Sequence, residues 1–196
     1  MFLFNRNNME AIYPIPRHER ISSFLQSLLG ACFIAICAQI KIPLYFTPVP
    51  LTVQTVGVLL AGAFLGSKKG MGAALLYLAQ GALGWPVWAG GASGFHHLFG
   101  PTGGYLLGYP LEAFLMGWFL EKCARSGNAI WTAAAILIPC TLQMGIGTLW
   151  LAPFIGLENV LAMGFAPFIF WEMGKSAFTI FLLNNYKKEP NDGISS

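Results

Sequence analysis

Pro167-Phe168-Ile169-Phe170-Trp171-Glu172-Met173-Gly174-Lys175-Ser176 sets a carboxylate and an ammonium three positions apart, inside a run otherwise apolar enough for a membrane interior. Residues at i and i+3 share one helix face, about 5–6 Å apart at Cβ, so the two charges can meet. An ionisable group near the bilayer centre costs a few kcal/mol even on the lenient insertion scale, and such groups face a bundle interior or a cavity rather than lipid. The stretch therefore reads as part of a membrane helix with its charged face turned inward. Two readings of the pair stand: a ligand site, or an internal lock on helix packing.

The rest of the chain has the same character. Of its 196 residues, 56% are hydrophobic and 10% charged, with mean hydropathy +0.61. Soluble domains carry about 25% charged residues, so the composition indicates an integral membrane protein. Six spans of about 20 residues would occupy roughly 120 positions, leaving short loops and no second domain. The expected division is a cytoplasmic segment over 1–20, a six-helix bundle over 21–184 and a polar cytoplasmic tail over 185–196. The net charge of +3 is spread over isolated residues and pairs rather than gathered in a patch, which argues against nucleic acid. Residues 1–20 hold no compact apolar core of a signal peptide. Cys32, Cys37, Cys123 and Cys140 show neither a CxxC pair nor metal-ligand spacing.

Hydrophobic runs and Gly/Pro punctuation predict helices over about 21–40, 51–66, 71–84, 103–120, 129–151 and 168–183. Ser67-Lys68-Lys69-Gly70 reads as a tight basic turn, Pro139 as a kink in the fifth helix, and 156–164 as a short interfacial helix. Small residues along the first helix (Gly30, Ala31, Ala35, Ala38) suit close backbone approach, by another helix of the bundle or by a partner. The segment 43–50, with three prolines, cannot be helical throughout. The segment 84–105 mixes many glycines with Trp85, Trp88, Phe95, Phe99 and Tyr105. Irregular backbone at membrane depth is tolerated only where protein buries it or it lines a cavity. That makes this loop a pocket wall or, alternatively, an interfacial turn anchored by tryptophans.

With both termini inside, nine basic residues (Arg6, Arg17, Arg20, Lys68, Lys69, Lys122, Arg125, Lys187, Lys188) fall on the cytoplasmic side and only Lys41 outside. In that orientation Thr52, Gln54, Thr55, Tyr77, Gln80, Tyr105, Gln143, Glu172 and Lys175 gather at one depth, in the outer half of the bundle. Buried polar groups need partners. The layer is either a cavity open to the outside or a self-satisfied network. Glu112, in the fourth helix, fits a counter-ion to Lys175, a proton carrier or a carboxyl kept neutral by burial.

Other chemistries fail on spacing. Gly174-Lys175-Ser176 imitates the end of a phosphate-binding loop, but the required first glycine would stand at Ile169. His96 and His97 are adjacent, without the i, i+4 separation of helical metal pairs, so no metal is expected. No serine-centred nucleophile elbow occurs, and the chain is not expected to be an enzyme.

Several stretches together resemble one family. Ile42-Pro43, Thr47-Pro48-Val49-Pro50-Leu51-Thr52-Val53-Gln54-Thr55, Leu59 to Gly66, Gly84-Trp85-Pro86-Val87-Trp88-Ala89-Gly90-Gly91 and Gly100-Pro101-Thr102-Gly103-Gly104-Tyr105 are similar to the signatures of BioY proteins, the biotin-specific S components of energy-coupling factor (ECF) transporters. The resemblance runs from about residue 25 to 183. It implies an all-α membrane protein, a compact bundle of six transmembrane helices with both termini inside, in a bacterial inner membrane. Such a protein captures biotin from outside, has no ATPase activity or cofactor of its own, and docks on a transmembrane coupling protein driven by two ATPases. The implied docking positions are Ala31 and Ala35. The implied biotin contacts are Glu172 and Lys175, for which the family has Asp and Lys, with Trp85, Trp88, Gly91, Ser93 and Tyr105 as wall, Thr52 or Gln54 as further hydrogen-bonding groups, and Tyr77 nearby. Here Phe170-Trp171-Glu172 stands where the family has Pro-Gly-Asp, so the carboxylate reaches one methylene further. The alternatives are a solitary biotin facilitator, an intramembrane enzyme using Glu112, His96 or Glu172, and a scaffold that binds no small molecule.

Overall fold

The computed structural model describes residues 22–123 and 129–186, so the segment 1–20, Arg125 and the tail from 187 onward lie outside the described residues. The described chain is a helical bundle: α1 (Ser23–Gln39), α2 (Gln54–Leu65), α3 (Ser67–Ala82), α4 (Gly103–Cys123), α5 (Ala129–Ile155), α6 (Leu157–Val160) and α7 (Ala166–Tyr186). A π-turn over Leu161–Phe165 leads from α6 into α7, within the segment expected to be a short interfacial helix.

At the centre lies α2, whose residues from Gln54 to Ala63 are all buried. A helix apolar all round is stable only when neighbours cover every side. Here α1, α3, α4 and α7 pack against it. At 12 residues it spans about 18 Å, short of a hydrocarbon core of about 30 Å. Among the described residues only Ala133–Ile155, in α5, is long and apolar enough to cross a membrane by itself; α1 and α2 are apolar but shorter.

Two local readings need correction. Ser67–Gly70 is the first turn of α3, not a loop, because one glycine makes the whole connection. Gly66, at φ 83°, closes α2 through its N–H to the Gly62 carbonyl and accepts from Gly70 at 2.9 Å. This leaves Lys68 and Lys69 at a helix N-terminus, where the helix dipole disfavours cations. The Glu121 carboxylate from α4 compensates, accepting from the Ser67 N–H at 2.8 Å and from its hydroxyl. Thr52, read as the start of the second helix, lies instead in a two-residue strand. The strands β1 (Lys41–Ile42) and β2 (Leu51–Thr52) pair antiparallel, Lys41 opposite Thr52, and close the proline-rich loop into a hairpin. Pairing of β2 delays the helix start to Gln54.

The small-residue face of α1 serves the bundle. Ala31 is fully buried in the same core cluster as Ile34, Ala38, Ala73 and Tyr77, and Ala35 is half-buried against it. Ala31 therefore presents no surface to a partner in this conformation, whereas Ala35 retains some.

Candidate functional site

The site is built where α7, α4 and the two irregular loops meet. On α7, Lys175 is buried and forms an ion pair with Glu172, as the i, i+3 spacing requires. Its ammonium also donates to Thr55 Oγ1 at 3.0 Å, at the start of α2. Neighbouring Trp171 donates from Nε1 to the Thr52 carbonyl at 3.2 Å, fastening α7 to the loop hairpin. Tyr105 on α4 is buried with its hydroxyl donating to the Gly164 carbonyl at 2.7 Å, and Gln143 of α5 donates to the Tyr105 carbonyl at 2.9 Å. The hairpin, the π-turn and helices α2, α4, α5 and α7 thus converge on one layer.

The glycine-rich loop is a structured wall. Trp88 is 1% exposed. Its indole fills the space above Gly81 of α3, where a Cβ would come within 2.0 Å of the ring. Trp88 and Ala92 form an isolated bridge, the Gly94 N–H donates to the Gly81 carbonyl at 2.7 Å, and Gln39 of α1 donates to the Val87 carbonyl at 3.1 Å. The loop is thereby tied to α1 and α3.

Two adjoining hollows result. An inner pocket of about 40 Å³ is lined by Thr52, Thr55, Tyr105, Tyr109, Gln143, Trp171, Glu172 and Lys175, with apolar wall from Val49, Met144 and Phe168. An outer chamber of about 360 Å³ lies between the proline-rich hairpin and the glycine-rich loop; Gln54, Trp88, Gly91, His97 and Lys41 reach it. Val49, Pro50, Thr52, Tyr105 and Tyr109 line both, so the two form one continuous site.

Its polar groups are incompletely paired. Glu172 Oε2, Gln54 Nε2 and Trp88 Nε1 are buried without a hydrogen-bond partner. Buried polar groups are rarely left so, because desolvation without replacement costs about 1–3 kcal/mol. A ligand with N–H donors would satisfy Glu172 Oε2, whereas the Gln54 amide lies against the Tyr77 hydroxyl behind the wall. Among the described residues no cluster of His, Cys, Asp or Glu could hold a metal.

The structure brings Glu172, Lys175, Tyr105, Trp88, Gly91, Thr52 and Gln54 to the walls of this site. It does not bring Trp85, Ser93 or Tyr77. Trp85 is 60% exposed, because the chain turns outward at Gly84, and Ser93 is half-buried away from both hollows. Tyr77 lies in the core beside Gln54, behind the wall rather than on it. Glu112 is buried on α4, accepting from Cys140 Sγ at 3.6 Å, and lines neither hollow.

Sequence reading put Thr55 and Gln143 in the polar layer without naming them as ligand contacts, and left Tyr109 and Trp171 unassigned. Tyr109 was signalled by its place one turn after Tyr105 on the same helix face. Trp171 had no such signal, since its role depends on a hairpin more than a hundred residues away.

Residues 9–191 match the model of the BioY family. The chain is 38% identical over 157 residues to a probable biotin transporter BioY of Pyrococcus horikoshii, covering 79% of this chain and 91% of that protein. It is 37% identical over 171 residues to the biotin transporter BioY2 of Lactococcus lactis subsp. cremoris, with 84% and 90% covered. Among solved structures, the S-component for biotin from an ECF-type ABC transporter superposes with a TM-score of 0.78 at 27% identity, covering 90% of this chain and 96% of that one. The expected fold class, an all-α bundle of the ECF S-component kind, agrees with that likeness.

Proposed function

Because the chain belongs to the BioY family, we propose that it is the biotin-binding S component of an ECF transporter, taking biotin from the outer side of the membrane. The observation that carries this reading is the buried Glu172–Lys175 pair in a pocket that adjoins a larger chamber, with Glu172 Oε2 left unpartnered. Biotin has two ureido N–H groups, a ureido carbonyl, an apolar bicycle and a carboxylate tail. Glu172 Oε2 accepts from a ureido N–H, and Lys175, already held by Glu172 and Thr55, donates to the ureido carbonyl. Trp88, Tyr105 and Tyr109 supply apolar wall for the bicycle. The proline-rich hairpin covers the site from outside, fastened to α7 through Trp171.

Such a subunit binds and releases its ligand without converting it. In the membrane the bundle spans six times, with both termini and most of the basic residues on the cytoplasmic side, Lys41 on the outer side and Lys175 within the bundle. Delivery inward then depends on a transmembrane coupling protein with two ATPases, docked partly through the accessible edge of α1 at Ala35. Calorimetric titration of the detergent-purified protein with biotin tests the central claim: saturable 1:1 binding is expected, and absence of heat at micromolar protein overturns it. Co-purification of the coupling protein with the tagged chain distinguishes the energised subunit from a solitary facilitator.

A further inference from the structure

The geometry points to Lys41 as the residue that receives the carboxylate of the captured ligand, at the outer end of the chamber. This assignment rests on the biotin reading and adds the polarity of the ligand within the site.

The chamber wall contains no Asp or Glu, and its basic groups are Lys41 and His97. The Lys41 ammonium makes no ion pair or hydrogen bond among the described residues, in contrast to Lys175. Its side chain is exposed, and its position is set by the backbone on one side and by the room left at Gly90 on the other. Its backbone pairs with Thr52, and the Thr52 carbonyl accepts from Trp171, so the strand carrying Lys41 is anchored to the helix that carries the inner ion pair. On the other side its Nζ rests over Gly90, where a Cβ would lie 2.0 Å from the nitrogen. Gly90 also adopts φ 68°, a conformation that L side chains rarely take. The ammonium thus bridges the gap between the proline-rich hairpin and the glycine-rich loop.

The two ends of the site differ in charge. The inner pocket holds the buried Glu172–Lys175 pair, with Glu172 Oε2 left as an acceptor, while at the chamber the exposed Lys41 stands without a counter-charge. A molecule with N–H groups at its head and an anion at its tail fits this order in one direction only, head inward. His97, with its ring 5.8 Å from that of Trp88, is kept by burial and then by neighbouring His96 below the ordinary imidazole pKa. Lys41 is therefore the basic group assigned to the tail.

The test compares biotin with biotinamide, whose tail carries no charge, on the full chain in detergent. Wild-type protein should bind biotin about five- to tenfold more tightly, the scale of a partly solvated charged hydrogen bond. In Lys41→Gln, biotin affinity should fall by that factor, biotinamide affinity should stay unchanged, and the preference should vanish; Lys41→Arg should restore it. A Lys41→Gln protein that keeps the full wild-type preference overturns the assignment while leaving biotin binding intact. So does a preference abolished by Lys175→Ala but not by Lys41→Gln, which would place the carboxylate at the inner end. Wild-type protein that binds neither compound overturns the biotin reading, and the Lys41 assignment with it.

Discussion

Replacing Lys175 by alanine separates what the inner ion pair does for the fold from what it does for the ligand. Lys175 is 7% exposed and Glu172 12%. Glu172 Oε2 already lacks a partner, and Lys175 is the group that holds Oε1. Lys175→Ala therefore strands a nearly buried carboxylate with neither oxygen satisfied. Removing one member of a buried pair costs about 3–5 kcal/mol, a large part of the roughly 5–15 kcal/mol that holds a domain folded. Binding loses a desolvated charged hydrogen bond as well, about 2–5 kcal/mol, so the Kd for biotin should rise about 30-fold or more. The double variant Glu172→Gln/Lys175→Met discriminates the two effects. With no stranded charge, most of the stability should return. Affinity should not, because the groups proposed to read the ureido ring are still missing. Thermal unfolding in detergent gives the first quantity and calorimetric titration the second. Lys175→Ala binding biotin as tightly as wild type would refute the role of the pair, and recovery of affinity in the double variant would refute the separation.

Three further outcomes are expected. Gly81→Ala places a Cβ 2.0 Å from the Trp88 ring, so the indole must leave its seat; overpacking of this kind should lower stability by about 1–3 kcal/mol and weaken biotin binding through loss of the chamber wall, read by Tm and by titration. Tyr105→Phe removes the 2.7 Å bond to the Gly164 carbonyl, which Thr148 still reaches at 3.2 Å; stability should fall by about 0.5–1.5 kcal/mol, while Kd changes by less than about twofold, because the hydroxyl points at the π-turn and only the ring faces the ligand. The folded state depresses the pKa of His97, so the unfolded chain takes up a proton more readily; stability contributed by the neutral ring is present above about pH 6.5 and is lost as pH falls toward the folded value. The Tm of ligand-free wild type should accordingly fall more steeply on acidification than that of His97→Gln.

How much of this was legible without coordinates differs from element to element. The boundaries of α1 and α4 came within a few residues of those expected, because long apolar runs ending in charge or proline leave little freedom. The turn at Ser67 was misread because two lysines and a glycine look like a loop, and the carboxylate that makes them tolerable at a helix start sits on α4, 54 residues away. Ala31 and Ala35 show the same limit: small spacing marks a close-packing face, but only the neighbours decide whether the bundle or a partner covers it. Trp85 and Trp88 are three residues apart in one loop, yet one is exposed and the other fills the space above Gly81.

The membrane class, the inward face of the sixth expected span and the pairing of Glu172 with Lys175 were determined by local facts: hydropathy, helical periodicity and the cost of charge in an apolar medium. These need no knowledge of what lies beside the helix. Which of the polar residues share a cavity was decided by the tertiary structure, because a cavity is a relation between elements far apart in the chain. Lys41 opposite Thr52, Thr52 bonded to Trp171 and Trp88 seated on Gly81 are contacts that no periodicity encodes. They bring the Glu172–Lys175 pair and Lys41 to the walls of one site.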